Sequence, residues 1–430
     1  MLFTEDFLHY VWKFKLLDYR NLQTAEGEAV EIISAGIHNF DAGADFQNAR
    51  IKIGDTVWAG NVEIHVASAD WHQHGHSTDN AYNNVILHVV YRNNQPVILP
   101  NGKPLPTIEL VNRLPADLYS QYHQMIYGNQ QTIPCGASIK TVSSVAIHNW
   151  LTRVLVERLE RKSVAVINAL NLNKGNWEET FYQFLAANFG FKINALPFEL
   201  MAKSLPQGLL AKHKTSAFQI EALIFGQAGF LEEEHTDSYP LKLKTEYAYL
   251  RKKYALVPVE KHLWKFLRLR PANFPTVRLA QFAGLVTQCN HLFSKILEES
   301  TVSGLRKLFS NIVVNAYWDT HYRFNAESKF AIKSVGSASI DLILLNTIAV
   351  FLFAYGNHYQ LTGFVDRSLE LLESLPVEQN LMVNDFIAVG VKAKTAFESQ
   401  ALLELRQQYC NYKKCLQCGI GNQILNTNRL

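Results

Sequence analysis

Residues 57–66 read Val-Trp-Ala-Gly-Asn-Val-Glu-Ile-His-Val. The second half of this run alternates apolar and polar side chains with a period of two, the signature of a strand. Val62, Ile64 and Val66 then face one way and Glu63 and His65 the other, so one face carries a carboxylate beside an imidazole. Upstream, Gly54-Asp55 is a two-residue turn signal that folds the branched segment Ala49–Ile53 back on this strand. Gly43-Ala-Asp45-Phe places an acid at the head of that preceding strand, which brings Asp45 and Glu63 to the same end of a sheet. Ala29–Ile37 and Val85–Tyr91 are two further strand candidates, bounded by Gly, Asn or Asp. Ahead of them Phe7, Val11, Phe14 and Leu17 recur at helical spacing, for an opening helix of about four turns. Asp70–Asn84, polar and His-rich, forms the crossover between the last two strands as a helix or an ordered loop.

The grammar changes from about Val145, where helical patterns take over. Asn176-Trp-Glu-Glu has the form of a capping box, with Trp177, Phe181, Phe184 and Leu185 on one face and Gly190 as a stop. Glu221–Leu231 carries Gly226 and Gly229, small enough for close helix packing. Leu279–Leu297, Ile340–Tyr355 and Thr395–Tyr409 read as further helices, and no fixed-period repeat is present. Lys103–Ile133, with Pro104, Pro106 and Pro115, reads as the linker. The expected fold is therefore α+β. An N-terminal α/β domain with a small mixed sheet spans residues 1–133, and a larger all-helical domain with a C-terminal cysteine tail spans 134–430.

A hydrophobic content of 48% and a charged content of 18% exclude collagen-like, disordered and low-complexity classes. The net charge of +3 is too small to imply a nucleic-acid partner by itself. Two acids among the first six residues stand where a signal peptide needs a basic region. The apolar stretch Leu342–Tyr355 contains Asn346 and Thr347 and falls short of the ~20 residues of a membrane span, so a buried helix capped near Ser339 or Asp341 is expected, with no membrane partner. Five cysteines, an odd number, fit a reducing compartment, and the expected location is cytoplasmic.

Two carboxylates with a nearby nitrogen base suit a divalent cation such as Mg²⁺ or Mn²⁺, which polarises a phosphoryl oxygen. The order of helix, three strands, crossover and fourth strand, with Asp45, Glu63 and His65 at these places, resembles the PD-(D/E)XK nuclease superfamily. The resemblance implies a restriction-endonuclease-like core and metal-dependent cleavage of nucleic-acid phosphodiesters. Asp45 and Glu63 would hold the metal, and His65 would act as ligand or base. Ala44 stands where the superfamily usually has Pro, and His65 where it usually has Lys. Lys52 would restore the missing charge if it points inward.

The same segment supports a second reading. His65, His72, His74, His76 and His88 lie within 24 residues, and His74-Gly-His76 is a spacing that cupin-like barrels use for iron or manganese. Asp79 and His88 follow, but the Glu expected after the pair is absent; Asp70, His74, His76, Asp79 and His88 form a second tier of polar candidates. In a plainer reading, His72, His74 and His76 are solvated loop residues and His88 is a satisfied core histidine. A non-catalytic nucleic-acid-binding or assembly protein with a degenerate nuclease core is the remaining alternative; DNA versus RNA and the oligomeric state stay open.

Longer strings, among them Trp58-Ala-Gly-Asn-Val-Glu-Ile-His-Val, Ser68-Ala-Asp-Trp-His-Gln-His-Gly-His and Arg268-Leu-Arg-Pro-Ala-Asn-Phe-Pro, resemble an uncharacterised bacterial family, one of the domains of unknown function, over nearly the whole chain. Between Leu241 and Ala280 ten Lys or Arg face only Glu246 and Glu260, with aromatics interleaved. Arg268, Arg270 and Arg278 are the candidate phosphate contacts, against the plainer reading of a solvated basic helix face. The tail Cys410-x4-Cys415-x2-Cys418 has a spacing used for iron–sulfur clusters and is equally admissible for zinc; Cys135 is the best fourth ligand. Three packed or surface thiols are the plainer reading here.

Overall fold

A computed structural model describes residues 4–39, 41–99, 101–128 and 132–426. Its architecture is α+β, with an N-terminal mixed sheet followed by a mostly helical region. Two compact units divide the chain. The first comprises Met1–Trp150, Ala388–Val391 and Leu405–Leu430; the second comprises Leu151–Ile387 and Lys392–Glu404. The division thus falls at Trp150 rather than at residue 133, and the cysteine tail belongs with the sheet rather than with the helices.

The first unit starts with α1 (Glu5–Lys13), which buries Phe7, Leu8, Val11 and Trp12. Trp12 Nε1 donates to the Ala35 carbonyl at 3.0 Å. The helix has nine residues rather than four turns, because the chain leaves helical geometry at Phe14 and Lys15 takes a φ of +52°. The strands are β1 (Val30–Ser34), β2 (Ile37–His38), β3 (Phe46–Ile53), β4 (Thr56–Ala67), β5 (Val85–Arg92) and β6 (Thr107–Glu109). They are ordered β1-β3-β4-β5-β6, with β2 beside β3. β1, β3 and β4 run antiparallel, whereas β4, β5 and β6 run parallel. Gly54-Asp55 closes the β3–β4 hairpin with Ile53 opposite Thr56, and Gly54 takes the positive φ (+56°) that such a turn needs.

The parallel step from β4 to β5 needs a crossover. It is made by α2 (Asp70–Gln73), a polar turn and a short 3₁₀ segment at Asn80–Tyr82. Trp71 anchors it in a small cluster with Ala44, Val85, Val97 and Leu105. The segment expected to be a linker is structured. Ile108 of β6 is fully buried and pairs with Val89, and α3 spans Ala116–Tyr127. Pro104 and Pro106 suit this short edge strand, since Pro cannot donate to a ladder. The Pro106 carbonyl accepts the His88 N–H at 2.8 Å.

The second unit is built from helices. One runs unbroken through a π-helical turn from Ser337 to Tyr359, 23 residues, and is long and apolar enough by length and composition to cross a membrane. This exceeds the stretch read from the sequence because Ser337–Asp341 adds a turn ahead of it, from Gly336 as N-cap. Of its most apolar window, 67% is buried. Arg278 is also buried here: its guanidinium donates to Gln281 Oε1, Asn273 Oδ1 and Ser339 Oγ and lies 4.6 Å from the Phe191 ring centre. It is a packing residue, not a free phosphate contact, whereas Arg268 and Arg270 are exposed.

Gly226, in the helix Ala217–Gln227, lets that helix approach Tyr247 so closely that an added Cβ would lie 2.1 Å from the ring. Gly229 does a different job, holding a φ of +80° in the turn that follows. Gly226→Ala should therefore lower stability by ~1–3 kcal/mol through overpacking. Gly208→Ala, in a helix with open space at its Cβ, should not. Thermal unfolding of the two variants beside the parent checks this.

Candidate metal centre

The site forms where β3, β4 and the crossover meet under α1. Asp45 immediately precedes β3, in a loop held by Asn39, whose side-chain amide donates to the carbonyls of Asp41, Ala42 and Ala44. Phe46 pairs with Val62, which sets Asp45 against Glu63 on the neighbouring strand. The two carboxylates interlock through the backbone. Glu63 Oε2 accepts the Asp45 N–H at 3.1 Å, and Asp45 Oδ2 accepts the Ile64 N–H at 2.9 Å. Glu63 is only 4% exposed and His65 1%. Both faces of this part of β4 are covered, so the alternation places chemistry on one face without exposing it.

On β5, His88 pairs with Glu63, and its Nε2 lies 2.8 Å from His65 Nδ1. The crossover then supplies two more imidazoles. α2 ends at His74, and Gly75 turns the chain with a φ of +76°. His76 returns over the sheet, stacked 3.8 Å from Tyr82 and 5.2 Å from His65. The ligand nitrogens of His65, His74 and His76 all lie within 4.8 Å of one another. His76 Nε2 is 3.2 Å and His65 Nε2 3.6 Å from Glu63 Oε1. Neither nitrogen makes an aligned hydrogen bond, nor does His9 Nε2, although it lies 3.1 Å from Asp45 Oδ2. Buried polar atoms close to an oxygen but misaligned with it are costly as hydrogen-bond partners. The same arrangement suits ligands that share a cation.

Electrostatics agree with this chemistry. Burial, then Asp45, pushes the Glu63 carboxyl up to about 9. Burial lowers His65 to about 2 and His88 to about 3, reinforced by neighbouring imidazoles, and lowers His76 as well. The imidazoles are therefore neutral, the form in which they ligate metal.

Of the residues read from the sequence, the fold brings together Asp45, Glu63, His65, His74, His76 and His88. Asp70 accepts the Ala67 N–H at 2.9 Å and lies near enough to Glu5 to raise it. Asp79 caps the 3₁₀ segment by accepting the Ala81 N–H at 2.9 Å. His72, on the exposed side of the crossover, lies 3.0 Å from Ser77 Oγ. Lys52 is not at the site. It pairs with Val57, six positions from Glu63 along β4, about 20 Å away at the rise of a strand. The strands form an open mixed sheet rather than the antiparallel double sheet of a cupin barrel. Sequence reasoning missed Glu5 and His9. They sit one helical turn apart on α1, and the electrostatic influence of Asp45, His74 and Asp70 reaches Glu5. Their signal was this i, i+4 spacing beside a buried apolar stripe.

Two openings flank the centre. A cleft of about 520 Å³ is lined by His76, Tyr82, Asn83, Asn101 and the edge of Trp71. A groove of about 90 Å³ runs past His9, His38 and Lys13 to Lys413 and Lys414 of the tail. The tail residues Cys410, Cys415 and Cys418 gather with Cys135 in this same unit, close enough for their charges to interact.

The chain belongs to the family described as "Protein of unknown function (DUF2851)", which matches residues 5–381 and so takes in the candidate site and Cys135 but not the three tail cysteines. No curated protein and no solved structure matches it.

In metal-free protein the raised Glu63 carboxyl contributes stability that is complete below its ordinary 4.5 and is lost as pH rises toward about 9. The depressed histidines act oppositely: their contribution is complete above 6.5 and is lost as pH falls. Glu63→Gln should flatten the alkaline loss and leave the acid limb in place. Melting curves in chelator from pH 5 to 9 check this: the variant's advantage over the parent should grow with pH.

Proposed function

We propose that this centre hydrolyses phosphodiester bonds of a nucleic acid with the help of a bound divalent cation. The observation that carries the reading is the interlocked Asp45–Glu63 pair with His65 two residues along the same strand, in one buried pocket. Support also comes from the element order. A helix, an antiparallel three-strand meander and a parallel fourth strand reached by a crossover match what the PD-(D/E)XK resemblance implies.

Glu63, His65 and His76 would hold the cation, with Asp45 and His74 beside them, and the cation would polarise a phosphoryl oxygen. A set this rich in imidazole favours a transition ion over Mg²⁺. Glu63 must give up its proton when it ligates, so cation binding releases a proton and tightens with rising pH. With the proton on Nδ1, shared with His88, His65 presents its Nε2 lone pair to the pocket; His88 fixes that orientation. The positive charge that Lys would carry at position 65 is replaced along the groove by Lys13, Lys413 and Lys414, which suit a phosphate backbone. Arg268 and Arg270 remain exposed cations of the second unit.

The imidazole trio favours one other reading, a transition-metal centre with a different reaction. Both readings are tested by incubating labelled single- and double-stranded DNA and RNA with the full chain and Mn²⁺, Mg²⁺ or chelator. Cleavage should require metal, run faster with Mn²⁺, and fall at least ~10²-fold in Asp45→Asn, Glu63→Gln and His65→Ala. A parent protein whose melting temperature rises with Mn²⁺ but which cuts none of the substrates would decide for the other reading.

A further inference from the structure

Four of the five cysteines converge in the first unit, and the chain bonds none of them in a disulfide. Cys135 follows α3, in a turn whose carbonyl accepts the Ser138 N–H at 3.0 Å. Cys410 ends the π-helical segment Leu405–Cys410, Cys415 opens the 3₁₀ turn Cys415–Gln417, and Cys418 precedes the final helix Gly419–Asn426. Cys135, Cys415 and Cys418 are each less than a tenth exposed. Burial raises all four thiols, and like-charge interaction among Cys135, Cys410, Cys415 and Cys418 adds to it.

Local groups partly offset that effect of burial. The backbone N–H groups of Ile420 and Gly421 donate to the Cys418 sulfur, and the Trp150 indole lies beside it. Gly419 is what lets that indole in, since an added Cβ would lie 2.7 Å from its ring. Lys413 favours the charged form of Cys415, and Arg406 that of Cys410. The size of the set is informative too. Among the described residues, the imidazole trio is the group of donor atoms closing to within 4.8 Å. Four thiolates around a single zinc ion, each ~2.3 Å from it, would stand only ~3.8 Å apart. The wider set of sulfurs suits a polynuclear centre.

We infer that Cys135, Cys410, Cys415 and Cys418 bind an iron–sulfur cluster that staples the C-terminal tail to the sheet-bearing unit. Its structural effect is local. The loop between Cys410 and Cys415 carries Lys413 and Lys414 into the groove beside His9, with Lys413 at a φ of +53° and its ammonium 4.9 Å from the Tyr127 ring centre. The cluster thus fixes the cationic wall of that groove.

The test is the composition of the full chain purified without oxygen and without added metal. Expected are iron and acid-labile sulfide in equal amounts, two or four of each per chain, with a visible absorption band bleached by dithionite. One zinc per chain without sulfide, or metal-free protein with five titratable thiols, would overturn the inference. Cys415→Ser and Cys418→Ser should each lose most of the iron, whereas Cys289→Ser, outside the set, should keep it. Because the parent's own iron and sulfide decide, a serine variant that misfolds does not blunt the test. Nuclease activity plays no part in this readout, so failure here leaves the metal centre at Glu63 standing, and the reverse.

Discussion

Two carboxylates cannot share a buried pocket unless something other than mutual attraction holds them there. In this chain the backbone does it. Each of Asp45 and Glu63 accepts a peptide N–H from the other's strand or its immediate neighbour, so the β3–β4 register fixes both side chains. The arrangement stores electrostatic cost: Glu63 keeps its proton well into the alkaline range, and the adjacent imidazoles stay neutral. A cation bound there, as proposed, would relieve that cost by replacing the proton and giving the misaligned nitrogens a common partner. The hairpin turn, the Asn39-held loop and the Trp71 anchor all serve to keep the pair in place.

How much of this was legible varied with the range of the signal. The Glu63–His65 alternation, the Gly54-Asp55 turn and the acid ahead of β3 are local, and they placed the centre without any tertiary information. β6 was lost because three residues between prolines carry almost no pattern of their own; only pairing with β5 makes Thr107–Glu109 a strand. Glu5 and His9 were lost because a helix face can be seen from sequence, but the strand it will cover cannot. Lys52 failed for the opposite reason. A charge seven residues after Asp45 looks near the site in sequence, yet the antiparallel register leaves it beside the Gly54-Asp55 turn, at the far end of the hairpin from Glu63. Arg278 shows the limit of charge counting: a basic run does not separate an exposed guanidinium from one clasped by Gln281, Asn273 and Ser339.

The second unit obeys different rules. Its core is made by aromatic stacking, such as Trp177 on Phe293 and Phe225 on Trp318, and by buried ion pairs such as Arg158 with Glu404. Glu404 also holds Arg161 and is 2% exposed, so one carboxylate compensates two guanidiniums. Pairs of this kind specify an arrangement more than they strengthen it, because both partners have been taken from water.

The division of the chain has a bearing on how the protein is made. The first unit takes in Met1–Trp150 and Leu405–Leu430, whereas nearly all of the second lies between them in sequence. On the ribosome, the sheet, the carboxylate pair and Cys135 emerge well before the segment that completes their unit, with nearly all of the second unit translated in between. At ~5–20 residues per second, the interval between Cys135 and Cys410 lasts on the order of tens of seconds. Throughout that time the helical unit can fold while the groove beside His9 still lacks its lysine-bearing wall. A nascent chain therefore passes through a stage in which its candidate centre is present but one side stands open until the segment from Leu405 onward is made.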